Sequence, residues 1–475
     1  MNYALIGFIL YLAIVLVVGF LTYRKNKSHT DYYIAGRKLN HWVMALSERA
    51  SGESAWLIVG LPGAAYGLGL MEFWAAVGSV LGILLYWVII AKDLRIQSHK
   101  HNAITLPTFF AEKFGKHKSL IRIFSTLILI FFFTFYLAAQ FNGAGKVLHV
   151  TFGLTTFQGI LIGTAVIIFY TMMGGFLAVA WTDFVQGIIM FGTLVILPIV
   201  GFIELSHKDL PLFDPQYETL ARNIFNGKTG WAAIALTISG LSWAFGYFGQ
   251  PHLLIRFMAI KDPEKIKKGR IIAYSWTIPA FTGAMLMGLV GFALFRDAGI
   301  TDSENIMPYM ANNLLPAWLA GLLISGAIAA MMSTADSQLL AISSSVMEDI
   351  YYKTFKKKFS EKALLTISRL ITVGVGLLGF VIAITSKDLV FALVSYAWAG
   401  LGSSFGPALI CLLKWKKTTA QGVIAGMLTG ALTVIIWSNI DVLNNFLHAR
   451  FVSFVFAFIA IFITSLATQE KNLLK

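Results

Sequence analysis

Thirteen apolar stretches, most of them about as long as the hydrocarbon core of a bilayer is thick, run through this chain from end to end. They fall at 3–22, 43–71, 74–91, 122–145, 155–174, 183–203, 231–255, 271–295, 317–347, 366–386, 390–413, 420–438 and 451–468. The pattern predicts an all-α polytopic membrane protein of about 13 transmembrane helices, since a helix satisfies its own backbone polar groups inside lipid. Of the 475 residues, 57% are hydrophobic and only 13% are charged, about half the charged share of a soluble domain. Strand alternation of the outer-membrane barrel type is absent. The opening MNYALIGFIL has neither a basic n-region nor a small-residue cleavage motif, so the first stretch reads as a retained helix.

The net charge of +14 does not mark a nucleic-acid partner, because the basic residues sit in short connections between apolar stretches. One set of connections carries 29 Lys and Arg and the opposite set carries seven: Lys146, Lys208, Arg222, Lys228, Arg296, Lys387 and Arg450. The remaining one, Arg49, lies within the second stretch. Basic residues stay on the cytoplasmic side. An odd number of crossings in the plasma (inner) membrane then puts the N-terminus outside and the C-terminus in the cytoplasm. A single cysteine, Cys411, excludes a disulfide framework, and the nine histidines show no metal-ligand spacing. No nucleophile or cofactor motif appears, so no enzyme activity, organic cofactor or obligate protein partner is expected. The lipid bilayer and a small-molecule solute are.

Ser47–Gly63, SERASGESAWLIVGLPG, breaks the pattern by placing Glu48, Arg49 and Glu53 with serines, glycines and a proline inside the second stretch. The seventh is interrupted too, by GYFGQPH at 246–252. Irregular backbone at membrane depth survives only in protein or beside a cavity, and paired interrupted helices mark the binding centre of inverted-repeat transporters. Each interrupted stretch would open a unit of five. Because five is odd, the units have opposite topology, and a 5+5 inverted repeat follows. The expected division is 1–42 (first helix and cytoplasmic loop), 43–204 (first repeat), 205–230 (extracellular loop), 231–413 (second repeat) and 414–475 (peripheral last two spans and tail).

Hard monovalent cations take oxygen ligands, by the logic that governs other hard ions. In the ninth stretch Ala330, Ser333, Thr334 and Ser337 share one helix face, with Asp336 beside it. An aspartate at that depth is a functional candidate. Asp183, next to Thr182 in the sixth stretch, could join Asp336 around a second cation or a proton. Small hydroxyl residues also serve helix packing, and for Ser337 both readings stand.

Four segments, SAWLIVGLPGA, GGFLAVAWTDFVQ, WAFGYFGQPHLLIRFMA and AAMMSTADSQLLAISSSVMEDIYY, carry a resemblance to the sodium/solute symporter family, in particular its sodium/proline branch. The resemblance covers essentially the whole chain. It implies thirteen spans around a LeuT-like ten-helix core. It also implies a main sodium site at the carbonyls of Ala50, Glu53 and Ala330 and the hydroxyls of Ser333 and Thr334. Some members hold an additional sodium where this chain has Asp183, Ser333, Asp336 and Ser337. The aromatic set associated with proline corresponds to Trp56, Tyr136, Trp243, Tyr247 and Pro251, with Ser54 nearby. Such a set suits a zwitterion with an apolar ring, since aromatic faces attract the ammonium and half-helix N-termini take the carboxylate. In one place the chain departs from the branch. Gly52 stands where proline symporters carry an aspartate important for sodium coupling, and either Glu53 or Asp336 would replace it.

The expected function is secondary active transport: Na+-coupled symport of proline or a related amino acid by alternating access. The alternatives are proton coupling, another solute such as a sugar or carboxylate, or a membrane sensor that binds without transport. Glu48 and Arg49, adjacent in sequence, do not face one another on a helix. They are expected to meet through a partner helix or a cytoplasmic gate, in a structural gate role and not as ligand contacts. Glu72 is expected at a solvated outer mouth.

Overall fold

Two helix breaks organise the molecule. The structure, a computed structural model, describes residues 3–23, 29–173, 175–213, 223–357 and 360–469. Arg24, Lys25, Lys27, Arg222, Lys358, Lys471 and Lys475 of the charge balance lie outside them. The helices that build the bundle are α1 (Tyr3–Tyr23), α2 (His41–Ala55), α3 (Leu61–Leu68), α4 (Phe73–Ile89), α5 (Lys118–Phe152), α6 (Thr156–Met173), α7 (Phe176–His207), α8 (Gly230–Leu241), α9 (Trp243–Tyr247), α10 (Pro251–Ala259), α11 (Ile266–Phe295), α12 (Ala317–Ser345), α13 (Glu361–Thr385), α14 (Val390–Lys414), α15 (Ala420–Ser438) and α16 (Ala449–Gln469). Strand pairing among the described residues is confined to one isolated parallel bridge, between Leu39 and Ile260.

The first break follows from the polar run in the second stretch. Asn40 starts α2 by accepting a hydrogen bond from the Val43 amide at 2.9 Å, an ordinary N-cap. The helix fails at Ser54, whose backbone sits at φ 46°, ψ −168°, a region that L-residues occupy only under strain. A π-helical turn, Trp56–Gly60, then leads into α3. Gly69, at φ 68°, permits the reversal into α4. The second break lies between α9 and α10, where Gln250 is extended and Pro251 opens the next helix. The two parts meet at a bend of 43°.

Nine helical runs among the described residues are long and apolar enough to cross a bilayer, ten if the bent pair is one span. Length alone therefore gives fewer crossings than the thirteen expected. One run, His41–Ile89, has 49 residues and covers two expected spans. At 1.5 Å per residue it would span roughly 73 Å if it were straight, more than twice the hydrocarbon thickness. Two other apolar helices, Leu5–Gly19 and Thr156–Met172, are shorter than these. Helix α2 packs against α7, α11, α12 and α10, so the first break sits at the centre of the bundle.

Candidate functional site

The break in α2 faces α12 across a set of oxygen atoms. The Ser333 hydroxyl lies 2.9 Å from the Ala50 carbonyl and 3.1 Å from the Ala330 carbonyl. The Thr334 hydroxyl donates to the Ser51 carbonyl at 3.0 Å. All of these residues are fully buried. Ala50, Ala330 and Ser333 thus converge as the sequence suggests. Thr334 reaches the carbonyl of Ser51, and the Glu53 carbonyl is bonded to the Trp56 amide. Two carbonyls and a hydroxyl on one broken helix and its neighbour are the donor types that a small hard cation takes.

A second cluster lies one turn further along α12. Ser47 and Ser51 donate to Asp183 Oδ2 at 2.7 and 3.0 Å, and Ser337 donates to Asp336 Oδ1 at 3.2 Å. The structure brings Asp183, Asp336 and Ser337 together, and adds a residue that the charge pattern assigns to a basic loop. Arg256 is fully buried in α10. Its Nη2 donates to Asp183 Oδ2 at 2.7 Å, to Ser51 Oγ at 2.7 Å and to Ser337 Oγ at 2.6 Å. Its Nε donates to Ser47 Oγ at 3.0 Å. Arg256 adjoins the run KDPEKIKKGR, and nothing in composition separates a core guanidinium from the loop charges that follow it.

On the other side of the α2 break is an aromatic chamber. Trp56 stacks on Trp243 with centroids 4.5 Å apart and an interplanar angle of 11°. The Tyr136 hydroxyl donates to Ser54 Oγ at 3.4 Å. Pro251, at the head of α10, is buried close by in sequence to Tyr247. Sequence reasoning misses Trp398 of α14, which touches three of the predicted aromatics. Its ring lies 4.7 Å from that of Tyr247, 6.2 Å from Tyr136 and 6.3 Å from Trp243. Its Nε1 donates to the Trp243 carbonyl at 3.1 Å. Gly246 makes this approach possible, because a Cβ there would collide with the Trp398 indole. Arg450 of α16 covers the opposite side of Trp243, 4.4 Å from its centroid, a cation–π contact. Within the chamber, Trp56 Nε1 makes no hydrogen bond.

Two charged residues of the second stretch behave otherwise than expected. Arg49 meets Glu48 directly, its Nε donating to Oε2 at 2.7 Å and its Nη2 to Oε1. Helical neighbours diverge at Cβ, but two long side chains can lean along the same groove, and the planar fork then takes both oxygens. Arg49 Nη1 also donates to Glu53 Oε1 at 2.6 Å, one turn on. The Tyr247 hydroxyl lies 3.4 Å from Glu53 Oε2, while Tyr86 and Trp87 donate to Glu48. The group is fully buried, with Tyr86 and Trp87 of a neighbouring helix touching the pair. Glu72 is buried as well, at 9% exposure, and does not line a solvated mouth.

Both sides of the site are tied shut. On one, Glu304 accepts hydrogen bonds from the Val390 and Phe391 amides at the start of α14, at 3.0 and 2.9 Å, and pairs with Lys146 at 2.5 Å. Phe391 lies 5.3 Å from the Trp243 ring. On the other, the Leu39 amide donates to the Ala259 carbonyl at 3.2 Å and the Lys261 amide to the Leu39 carbonyl at 2.9 Å. Arg37 reinforces this seam by donating to the Met258 and Ala103 carbonyls. Burial, with Arg95 nearby, lowers Arg37 to about 10, so it stays cationic at neutral pH.

Two interrupted helices around an oxygen cluster and an aromatic chamber, enclosed in a membrane bundle, define a secondary transporter. Residues 32–430 match the sodium:solute symporter family, and the chain belongs to it. It is 40% identical over 465 residues to the high-affinity proline transporter PutP of Bacillus subtilis (strain 168), covering 96% of each chain. It is 36% identical over 478 residues to the sodium/proline symporter of Escherichia coli (strain K12), covering 98% of this chain and 94% of that one. A solved Na+-coupled sialic acid symporter, in a substrate-bound outward-open state, superposes over 98% of both chains with a TM-score of 0.77 at 19% identity, a likeness of fold. The all-α inverted-repeat architecture read from the sequence is therefore that of the protein, a multi-pass membrane transporter and not an enzyme.

Proposed function

We propose that this chain takes up proline, or a closely related amino acid, by Na+-coupled symport with alternating access. The observation that carries the reading is the double use of one helix break. Ala50 and Ser51 turn their carbonyls to the hydroxyls of Ser333 and Thr334, and Ser54 and Trp56, a turn later, face Tyr136 and Trp243. A cation that orders this break also orders the chamber, so each ligand favours binding of the other, as symport requires. The relatives named as proline transporters support the choice of solute.

The Na+ ligands are then Ala50, Glu53, Ala330, Ser333 and Thr334, joined by Ser51. Trp56, Tyr136, Trp243, Tyr247, Pro251 and Ser54 hold the solute, with Trp398 bracing them. A pyrrolidine ring enters by parting Trp56 from Trp243. The Glu48–Arg49–Glu53 group lies beside the solute aromatics, joined to Tyr247 through Glu53. Of the two replacements for the aspartate that Gly52 lacks, Asp336 takes the role. Its Oδ2 makes no hydrogen bond, whereas Glu53 is engaged by Arg49 and Tyr247. Thirteen crossings with the N-terminus outside, in the five-part division set out above, complete the reading. The 49-residue run then crosses twice.

Uptake of labelled proline into proteoliposomes, with and without an inward Na+ gradient, tests the reading. Na+-driven accumulation is expected. Equal accumulation on a proton gradient without Na+ would overturn the ion, and no uptake under any gradient would overturn transport of proline.

A further inference from the structure

One charge lies against the aromatic chamber without a counter-ion in contact. Arg450, from the peripheral helix α16, is 5% exposed, and its Cζ lies 4.4 Å from the centre of the Trp243 ring. Its Nε donates to Ser242 Oγ at 3.3 Å, its Nη2 to the Ser239 carbonyl at 3.1 Å and its Nη1 to Ser395 Oγ, with His448 Nε2 3.2 Å from Nη1. None of these partners is an anion, and four acceptors leave one of the five guanidinium hydrogens unused. A buried charge left uncompensated is costly. An acid stands near but does not pair with it. Glu72, in the turn between α3 and α4, is 9% exposed and makes no hydrogen bond or ion pair among the described residues. A Cβ on Gly240 would strike Trp74 and Ala75, so the chain just after Glu72 packs on the α8–α9 junction that Arg450 also grips. The two charges act on each other through space without meeting. Ser395 lies in the second turn of α14, whose first amides Glu304 holds, so Arg450 sits on the side of the chamber that Glu304 ties shut.

We propose that Glu72 and Arg450 form an entry subsite for the solute zwitterion, taking its ammonium and its carboxylate before it passes Trp243. The inference rests on the amino-acid transport reading above and adds a stage to the solute's path. In the closed form described here neither charge is open to solvent, and release of the Glu304 seam admits solute between them. The guanidinium fork matches a carboxylate, and the Glu72 carboxylate matches an ammonium. An α-amino acid carries both groups on one carbon, so it neutralises both residues at once, which a simple anion or a simple cation does not. The hydroxyls of Ser242 and Ser395 hold the guanidinium in place without cancelling its charge. Stacking ties this place to the chamber. A carboxylate that draws Arg450 toward itself loosens its hold on Trp243, the ring that must part from Trp56.

The test compares initial rates of Na+-driven uptake of labelled proline by the wild type, Arg450→Gln and Glu72→Gln, each purified whole and reconstituted. Two unlabelled competitors probe one charge each: prolinamide, which has no carboxylate, and tetrahydrofuran-2-carboxylate, in which oxygen replaces the amine. Arg450→Gln is expected to raise the KM for proline about tenfold, the order of a lost hydrogen bond between charged groups. Its kcat and half-saturating Na+ stay within about twofold of the wild type, as does its inhibition constant for prolinamide, which has no carboxylate to lose. Glu72→Gln is expected to raise the proline KM similarly and to spare tetrahydrofuran-2-carboxylate. A side chain that merely braced Trp243 would weaken proline and prolinamide together, and that result overturns the site. So does a proline KM unchanged in both variants. Should Arg450→Gln fail to fold, Arg450→Lys, which keeps the charge, is expected to retain most of the affinity, and Glu72→Gln decides by itself. Absence of proline uptake by the wild type overturns the transport reading and the site with it; normal uptake without these shifts overturns the site alone.

Discussion

Each of the two broken helices carries a fully buried arginine, and the two are wired in opposite ways. Arg49 on α2 is held mainly by its own helix: Glu48 beside it, Glu53 one turn on, with Tyr86 at 3.1 Å from a neighbour. Arg256 on α10 reaches mainly to other helices, to Ser47 and Ser51 on α2, Asp183 on α7 and Ser337 on α12. The first arrangement neutralises charges that a helix must carry through an apolar interior. The second ties four helices at one point. A buried arginine can therefore serve the integrity of one element or the relative position of several, and its partners, not its burial, tell which.

The largest effect expected on this contrast is from Arg49→Met. It strands two buried carboxylates and should lower stability by about 3–5 kcal/mol, the cost of breaking a buried pair from one side. Thermal unfolding in detergent reads it, and adding Glu48→Gln and Glu53→Gln should recover much of the loss. Arg256→Met strands one buried carboxylate instead of two, and Asp183 keeps the Ser47 and Ser51 hydroxyls, so it should lose less, about 3 kcal/mol. If Arg256→Met proved the more damaging, the contrast would fail.

Ser333→Ala removes a hydroxyl from the oxygen cluster without touching either arginine. It should raise the Na+ concentration for half-maximal uptake about tenfold, equivalent to about 1.4 kcal/mol, and a change in proline affinity alone would misplace the cation. Trp398→Phe deletes the hydrogen bond to the Trp243 carbonyl. At about 1 kcal/mol it should raise the half-saturating proline concentration roughly fivefold, measured by initial uptake rates. The smallest effect is from Ser54→Gly. Relief of the strained backbone should stabilise the protein by up to about 1 kcal/mol in the same unfolding measurement. Loss of the Tyr136 contact should weaken proline binding slightly. A destabilised Ser54→Gly would show that the break is held by something other than its neighbours.

Much of the fold and site is legible in the chain, and the reasons differ by residue. Ala330, Ser333, Thr334 and Ser337 can be grouped because helical spacing fixes which residues share a face. The breaks can be located because glycine, proline and charge together at membrane depth require backbone that protein encloses. Trp398 escapes because it sits in an unremarkable apolar stretch and reaches Tyr247 through tertiary contact alone. Glu304 escapes for a similar reason, since its partners are main-chain amides more than 80 positions away, at Val390 and Phe391. Arg256 is hidden by the basic run that follows it. Arg49 and Glu48 defeat the sequence argument because backbone geometry says where a side chain starts, not where its rotatable bonds let it end.

The seam at Leu39 and Ile260 has a consequence for how this protein tolerates change. Its two hydrogen bonds join the entry to one broken helix with the exit from the other, and both are made by main-chain atoms. Side chains can be exchanged there without deleting either bond; only proline, which has no amide hydrogen, removes one. The fastening is thus invisible to almost every point mutation. Sequence drift at position 261, whose side chain is exposed, can alter the surface chemistry of this end of the bundle while the clasp beneath it persists.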